Sequence, residues 1–98
     1  MATEIPPFRL LPEPLNEAAS SLKPFEWAAP EVGKRHQLGG RPTFIQQPEV
    51  PYCREGREMT FYGQLDSIND DIVLADCGMI YVFVCFHCFE TKAILQSG

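Results

Sequence analysis

Six of the nine prolines stand at positions 6, 7, 12, 14, 24 and 30, and this spacing forbids a long helix or a central strand in the first third of the chain. Residues 1–35 therefore read as a proline-rich arm that runs extended and packs on a folded module formed by residues 36–98. Within the arm, Leu15, Ala18, Ala19 and Leu22 fall at helical spacing between Pro14 and Pro24, which predicts one short helix. Phe25 and Trp27 read as anchors that bury against the module, since large aromatic side chains contribute most when they leave water.

From Glu58 onward the pattern changes to a period of two. Met59, Phe61, Gly63 and Leu65 alternate with Thr60, Tyr62 and Gln64, the signature of a half-buried strand, and Ser67-Ile68-Asn69-Asp70 supplies turn chemistry after it. Ile72, Val73 and Leu74 predict a short strand. Asp76-Cys77-Gly78 predicts a tight turn in which the glycine takes a positive φ. Residues 79–84 form the strongest strand pattern, and Thr91, Ala93, Ile94 and Leu95 predict a last strand returning beside it. The expected fold is mainly β: a small antiparallel sheet of about four strands, with zinc-ribbon-like knuckles at one end and the arm laid over it.

The knuckles are read from four cysteines. Cys85-Phe86-His87-Cys88 follows a strand and carries two cysteines separated by two residues, a spacing that presents both sulfurs to one tetrahedral ion. Cys53-Arg54-Glu55-Gly56 has one cysteine and a glycine suited to a tight turn, but no second cysteine. Cys53, Cys85 and Cys88 are thus the candidate metal ligands, with zinc as the candidate ion. A structural zinc site takes four ligands, and the candidates for the fourth are His87, Cys77, Glu55 or water. Two readings stay open: a zinc ion held by three thiolates and a further donor, or a degenerate site whose cysteines are small apolar fillers. A redox role for Cys85 and Cys88 needs a thiol activated at a helix N-terminus or beside a cation, whereas this pair follows a strand and is flanked by phenylalanines.

Ninety-eight residues make one small domain, of a size at which a metal, a disulfide or a partner often adds needed stability. The formal net charge of −5 gives no footprint for a phosphate backbone, so nucleic acid is not an expected partner. Residues 1–7 have no basic start and no apolar core, and the longest apolar run, residues 79–86, is far shorter than a membrane span. A cytoplasmic location without membrane contact is expected, with cysteines reduced or metal-bound. His36 and His87 are the only histidines, and neither has a recognisable nucleophile beside it, so no catalytic residues are assigned.

His36-Gln37-Leu38-Gly39-Gly40-Arg41-Pro42-Thr43-Phe44-Ile45-Gln46 allows a tight reversal at the two glycines, after which Pro42 directs Phe44 toward the core. Gln46 and Gln64 read as amides that close backbone hydrogen bonds rather than bind a ligand. This segment, followed by Pro48, Pro51 and Cys53, then Met59-Thr60-Phe61-Tyr62-Gly63-Gln64-Leu65-Asp66 and Gly78-Met79-Ile80-Tyr81-Val82-Phe83, resembles the YwqG-like family of uncharacterised bacterial proteins. It is also similar to the C-terminal domain of programmed cell death protein 2. The resemblance runs from His36 to the end and implies a β-rich module with paired cysteines near Cys53 and Cys85 and no catalytic activity to carry over. The resulting expectation is a non-enzymatic cytoplasmic β module acting through protein contacts, as an adaptor or an immunity-type partner. The alternative is a small thiol redox protein or enzyme using Cys85 and Cys88.

Overall fold

The structure, a computed structural model, describes residues 3–98. Its core is one antiparallel sheet of five strands in sequential order: β1 (Phe8–Arg9), β2 (Gln37–Leu38), β3 (Thr60–Asp66), β4 (Met79–Val84) and β5 (Thr91–Gln96). The mainly β, antiparallel class expected from the sequence is what forms. The strand list differs in detail. Ile72, Val73 and Leu74 make no strand, because Ser67 and Asn69 organise this stretch as a loop: the Ser67 hydroxyl donates to Gly78 O and accepts from Leu74 N–H, and Asn69 Oδ1 accepts from the N–H groups of Asp71 and Ile72. Two-residue strands from the arm and from the Gln37 segment extend the sheet instead, with Phe8 opposite Leu38 and Gln37 opposite Gln64.

A β-bulge at Tyr62 decides which residues face the core. Phe61 stands opposite Phe83, but Gly63 already stands opposite Val82, so Tyr62 is the extra residue and the strand's two faces exchange beyond it. Leu65, expected inside, is half exposed, while Gln64 and Asp66 are buried. The core comprises Cys53, Met59, Phe61, Met79, Tyr81, Phe83 and Cys85, with Phe44 and Ile45 packed on it and Phe44 stacked at a tilt on Tyr81 with ring centres 5.0 Å apart.

The layer over this face is irregular chain, and its backbone groups are met by side chains from the sheet. Gln64 Oε1 accepts from Thr43 N–H, Tyr81 Oη accepts from Ile45 N–H and donates to Thr43 O, and Gln96 accepts from Gln46 N–H and donates to Gln47 O. Gln46 donates to Ser97 O, and Gln64 also donates to Arg35 O, so both amides close backbone hydrogen bonds. Among the described residues no buried side-chain nitrogen or oxygen lacks a partner.

The arm is fastened by polar contacts and by Phe25, whose ring lies against Gly33. Trp27 is not an anchor: the residue is 89 % exposed, and Glu26 N–H donating to Asp70 and Asn69 donating to Lys23 O hold the adjacent backbone without it. The short helix is a single turn, α1 (Glu17–Ser20), capped by Asn16 Oδ1 accepting from Ala19 N–H, and it buries nothing. At the Asp76-Cys77-Gly78 turn the positive φ values belong to Cys77 (53°) and to Ala75 (55°) just before the turn, and not to the glycine. Gly78 is required for a different reason, since a Cβ there would collide with the carbonyls of Gln96 and Leu74.

One ion pair ties these loops to the sheet. The Asp66 carboxylate, with no exposed side-chain surface, takes a two-pronged contact from Arg35 (2.7 and 2.8 Å) and accepts the N–H groups of Gly33, Arg35 and Ser67. Arg35 also donates to Cys77 O. Burial opposes the charge on Asp66, but the hydrogen bonds from Arg35 and Gly33 outweigh it and hold the carboxyl below its ordinary 3.8. With the folded value depressed, the stabilisation is present above the unfolded value of 3.8 and is lost as the pH falls from there through the folded value. Asp66→Asn is expected to cost about 3 kcal/mol at neutral pH, by leaving the arginine unpaired. The variant is also expected to lose this component of acid destabilisation, as read by urea unfolding across that window.

Candidate metal centre

The end of β4 and the chain entering β3 lie at the same edge of the core, and each carries a tight turn. In the first turn Tyr52 bridges Glu58, Cys53 N–H donates to Arg57 O (2.8 Å) and Gly56 N–H donates to Cys53 O (2.9 Å), with Gly56 at φ 80°. This is the form of a three-residue hairpin loop, in which a residue of positive φ completes the reversal. In the second turn Cys85 N–H donates to Glu90 O (2.9 Å) and Phe89 N–H to Cys85 O (2.7 Å). The first turn is therefore one residue shorter than the second: Gly56 closes it as Phe89 closes the second, and no residue stands in the place of Cys88.

Cys53, Cys85 and Cys88 are brought together, their sulfurs all within 4.8 Å of one another, with Cys53 and Cys85 buried and Cys88 half buried. Three close cysteines of this kind can hold a metal ion. The other candidates stand apart. Cys77 lies at the opposite end of β4, Glu55 pairs with Arg57 (3.4 Å), and His87 is exposed and outside the sulfur cluster.

Backbone amides already favour a thiolate here. The N–H groups of Cys88 and His87 point at the Cys85 sulfur and lower its pKa to about 7, within reach of neutral pH. The Glu90 N–H pulls Cys88 down, yet burial and the neighbouring sulfurs of Cys85 and Cys53 outweigh it and push that thiol up. The cluster thus carries one readily formed negative charge and resists a second, a conflict that a bound cation removes.

Two straps join the turns. Glu90 accepts the backbone N–H of Arg54 (2.8 Å) and its Nε (3.3 Å), and Lys92 donates to Tyr52 O (2.7 Å). The Arg54 N–H, followed by its guanidinium, draws the Glu90 carboxyl below its usual range. Glu90, Arg54 and Lys92 carry no motif, and sequence reasoning missed them because their partners are set by which turn faces which.

No family model matches the chain, and neither a curated protein nor a solved structure is significantly similar to it. Among the described residues no helix is long and apolar enough to cross a membrane.

Phe89 closes the second turn at φ 61°, where a side chain is strained, and the residue is 70 % exposed and gains little from burial. Phe89→Gly is expected to stabilise the fold by about 1 kcal/mol, read by urea unfolding, because glycine takes this conformation without the steric cost.

Proposed function

We propose that the chain is a non-enzymatic β module in which Cys53, Cys85 and Cys88 bind a zinc ion that staples two turns, and which works through contacts with another protein. The observation that carries the zinc reading is the meeting of three cysteine sulfurs from two separate turns. Thiolate donors, tight turns and amides directed at sulfur suit a structural ion of this type. Kinship with the YwqG-like family, on the motifs from His36 onward, and a reducing cytoplasmic setting belong to the same proposal.

The protein-contact reading draws on the face of the sheet opposite the core. Leu65, Ile80 and Leu95 stand side by side across β3, β4 and β5, next to Val82 and Ala93, and Leu65 and Leu95 are each about half exposed. Aligned apolar side chains on an open sheet face suit a partner that presents an apolar surface of its own.

A thiol redox role is the second reading, favoured by the lowered pKa of Cys85. It is opposed by burial, since Cys85 keeps only 3 % of its surface and a reactive thiol has to be reached.

Protein purified without chelator is expected to carry one zinc per chain by elemental analysis. Cys53→Ser, Cys85→Ser and Cys88→Ser should each release it and destabilise the fold by several kcal/mol, while Cys77→Ser keeps it. A metal-free protein that folds normally and is indifferent to chelator would refute the zinc reading; reversible oxidation of Cys85 with Cys88 in that protein would favour the redox one.

For the contact surface, the double change Leu65→Lys with Leu95→Lys is expected to shift stability by no more than about 0.5 kcal/mol while abolishing the association recovered with the wild type. Equal recovery of the same partner by co-purification would place the contact elsewhere.

A further inference from the structure

Three sulfurs leave one corner of a tetrahedron without a donor from this chain. The first turn supplies no donor for that corner, because it is one residue shorter and has no counterpart of Cys88: Gly56 N–H donates to Cys53 O as Phe89 N–H does to Cys85 O, and both residues have positive φ. A Cβ added at Gly56 would meet no atom within 4 Å, so the space before it is open. It belongs to a cavity of about 460 Å³ whose walls include Gly56, Arg57, Thr60, Cys85 and His87, so the two turns that carry the sulfurs line the same solvent-accessible space.

We infer that the metal ion held by Cys53, Cys85 and Cys88 keeps its fourth position for an external thiolate, from a small-molecule thiol or from a cysteine of a partner chain. The inference rests on the zinc reading above and deepens it. Three thiolates select a soft or borderline ion, and such an ion favours sulfur over oxygen as its fourth donor. With three thiolates on a divalent ion the centre carries a charge of about −1, and a fourth adds another; Arg57 on the cavity wall offsets part of that charge, against the carboxylate of Glu58 on the same wall. Its pairing with Glu55 is an exposed one, with about half of each side chain in water, so it holds Arg57 only weakly against turning inward. In the binding step the incoming thiol gives its proton to solvent, its sulfur lone pair forms the new bond to the metal, and the water that held the position leaves. No electron is transferred.

The test uses the full chain with Co(II) in place of zinc, whose sulfur-to-metal absorption grows with the number of bound thiolates. Titration with 2-mercaptoethanol is expected to give a saturable rise of about one third in that band, as three cobalt–sulfur bonds become four. His87→Ala should respond in the same way. A four-sulfur spectrum present before any thiol is added, and falling to the three-sulfur level on dilution, would assign the donor to a partner cysteine and equally support the inference. A cobalt protein with an unchanging three-sulfur spectrum would overturn it. So would a response that appears only in His87→Ala, because His87 would then be the fourth ligand. Absence of any sulfur-to-cobalt band would sink the zinc reading itself, an outcome distinct from either of these.

Discussion

The structure depends on satisfying the backbone of an irregular layer. Residues 43–47 lie over the core face of the sheet without forming a strand, so those of their amides and carbonyls that turn toward the sheet have no ladder to join, at a cost of about 1–3 kcal/mol for each such group left buried and unpaired. Gln64, Tyr81 and Gln96, one from each of the three long strands, supply the missing partners. The same three side chains fix how far the layer sits from the sheet, which in turn sets the space in which Phe44 meets Tyr81. A buried polar network of this kind specifies one arrangement, because any shift of the layer leaves several groups unpaired together.

The bulge at Tyr62 makes that network available. Without it, the alternation beginning at Met59 would carry Leu65 into the core and turn Gln64 and Asp66 toward solvent, the arrangement that simple periodicity predicts. One extra residue exchanges the faces, so Gln64 faces Thr43 and Asp66 meets Arg35. The mainly β class and the strands of residues 79–84 and 91–96 were legible because their patterns are unbroken. The bulge was not read, although the lone Gly63 inside the strand pattern is a local signal for a bulge or a close backbone approach; Gly63 lies against the Gln37 carbonyl, directly after the extra residue. The two-residue strands Phe8–Arg9 and Gln37–Leu38 were also beyond reach, being too short for any periodicity. Trp27 failed as an anchor because the arm obtains its order from hydrogen bonds at Glu26 and Lys23 and from Phe25, so burial of the indole was not needed to hold it.

The candidate site was legible to a different degree. Spacing alone identified Cys85 and Cys88, and the glycine of the first turn pointed to Cys53. The relation between the two turns could not be read, because it is a comparison of hydrogen-bond closures: Cys53 onto Arg57, but Cys85 onto Glu90. One residue fewer in the first turn explains physically why a second cysteine has no place there. Gly56 supplies the positive φ that so short a loop requires, and a cysteine at that point would carry the steric cost of the same conformation.

Three thiolates would hold an ion less tightly than four if the ion alone had to bring the turns together. Here the turns are already joined, by Glu90 to the Arg54 backbone and by Lys92 to Tyr52 O, while the Tyr52 and Glu58 bridge and the β4 and β5 pairing hold each turn on its own stem. Much of the ordering entropy that metal binding usually has to overcome is therefore met by the sheet and the straps. The sulfurs arrive close together, and their mutual repulsion on ionising is the remaining obstacle, one that a divalent cation removes directly. A site built this way can leave a corner free and still close its two turns, which ties the open fourth position to the rigidity of the sheet beneath it.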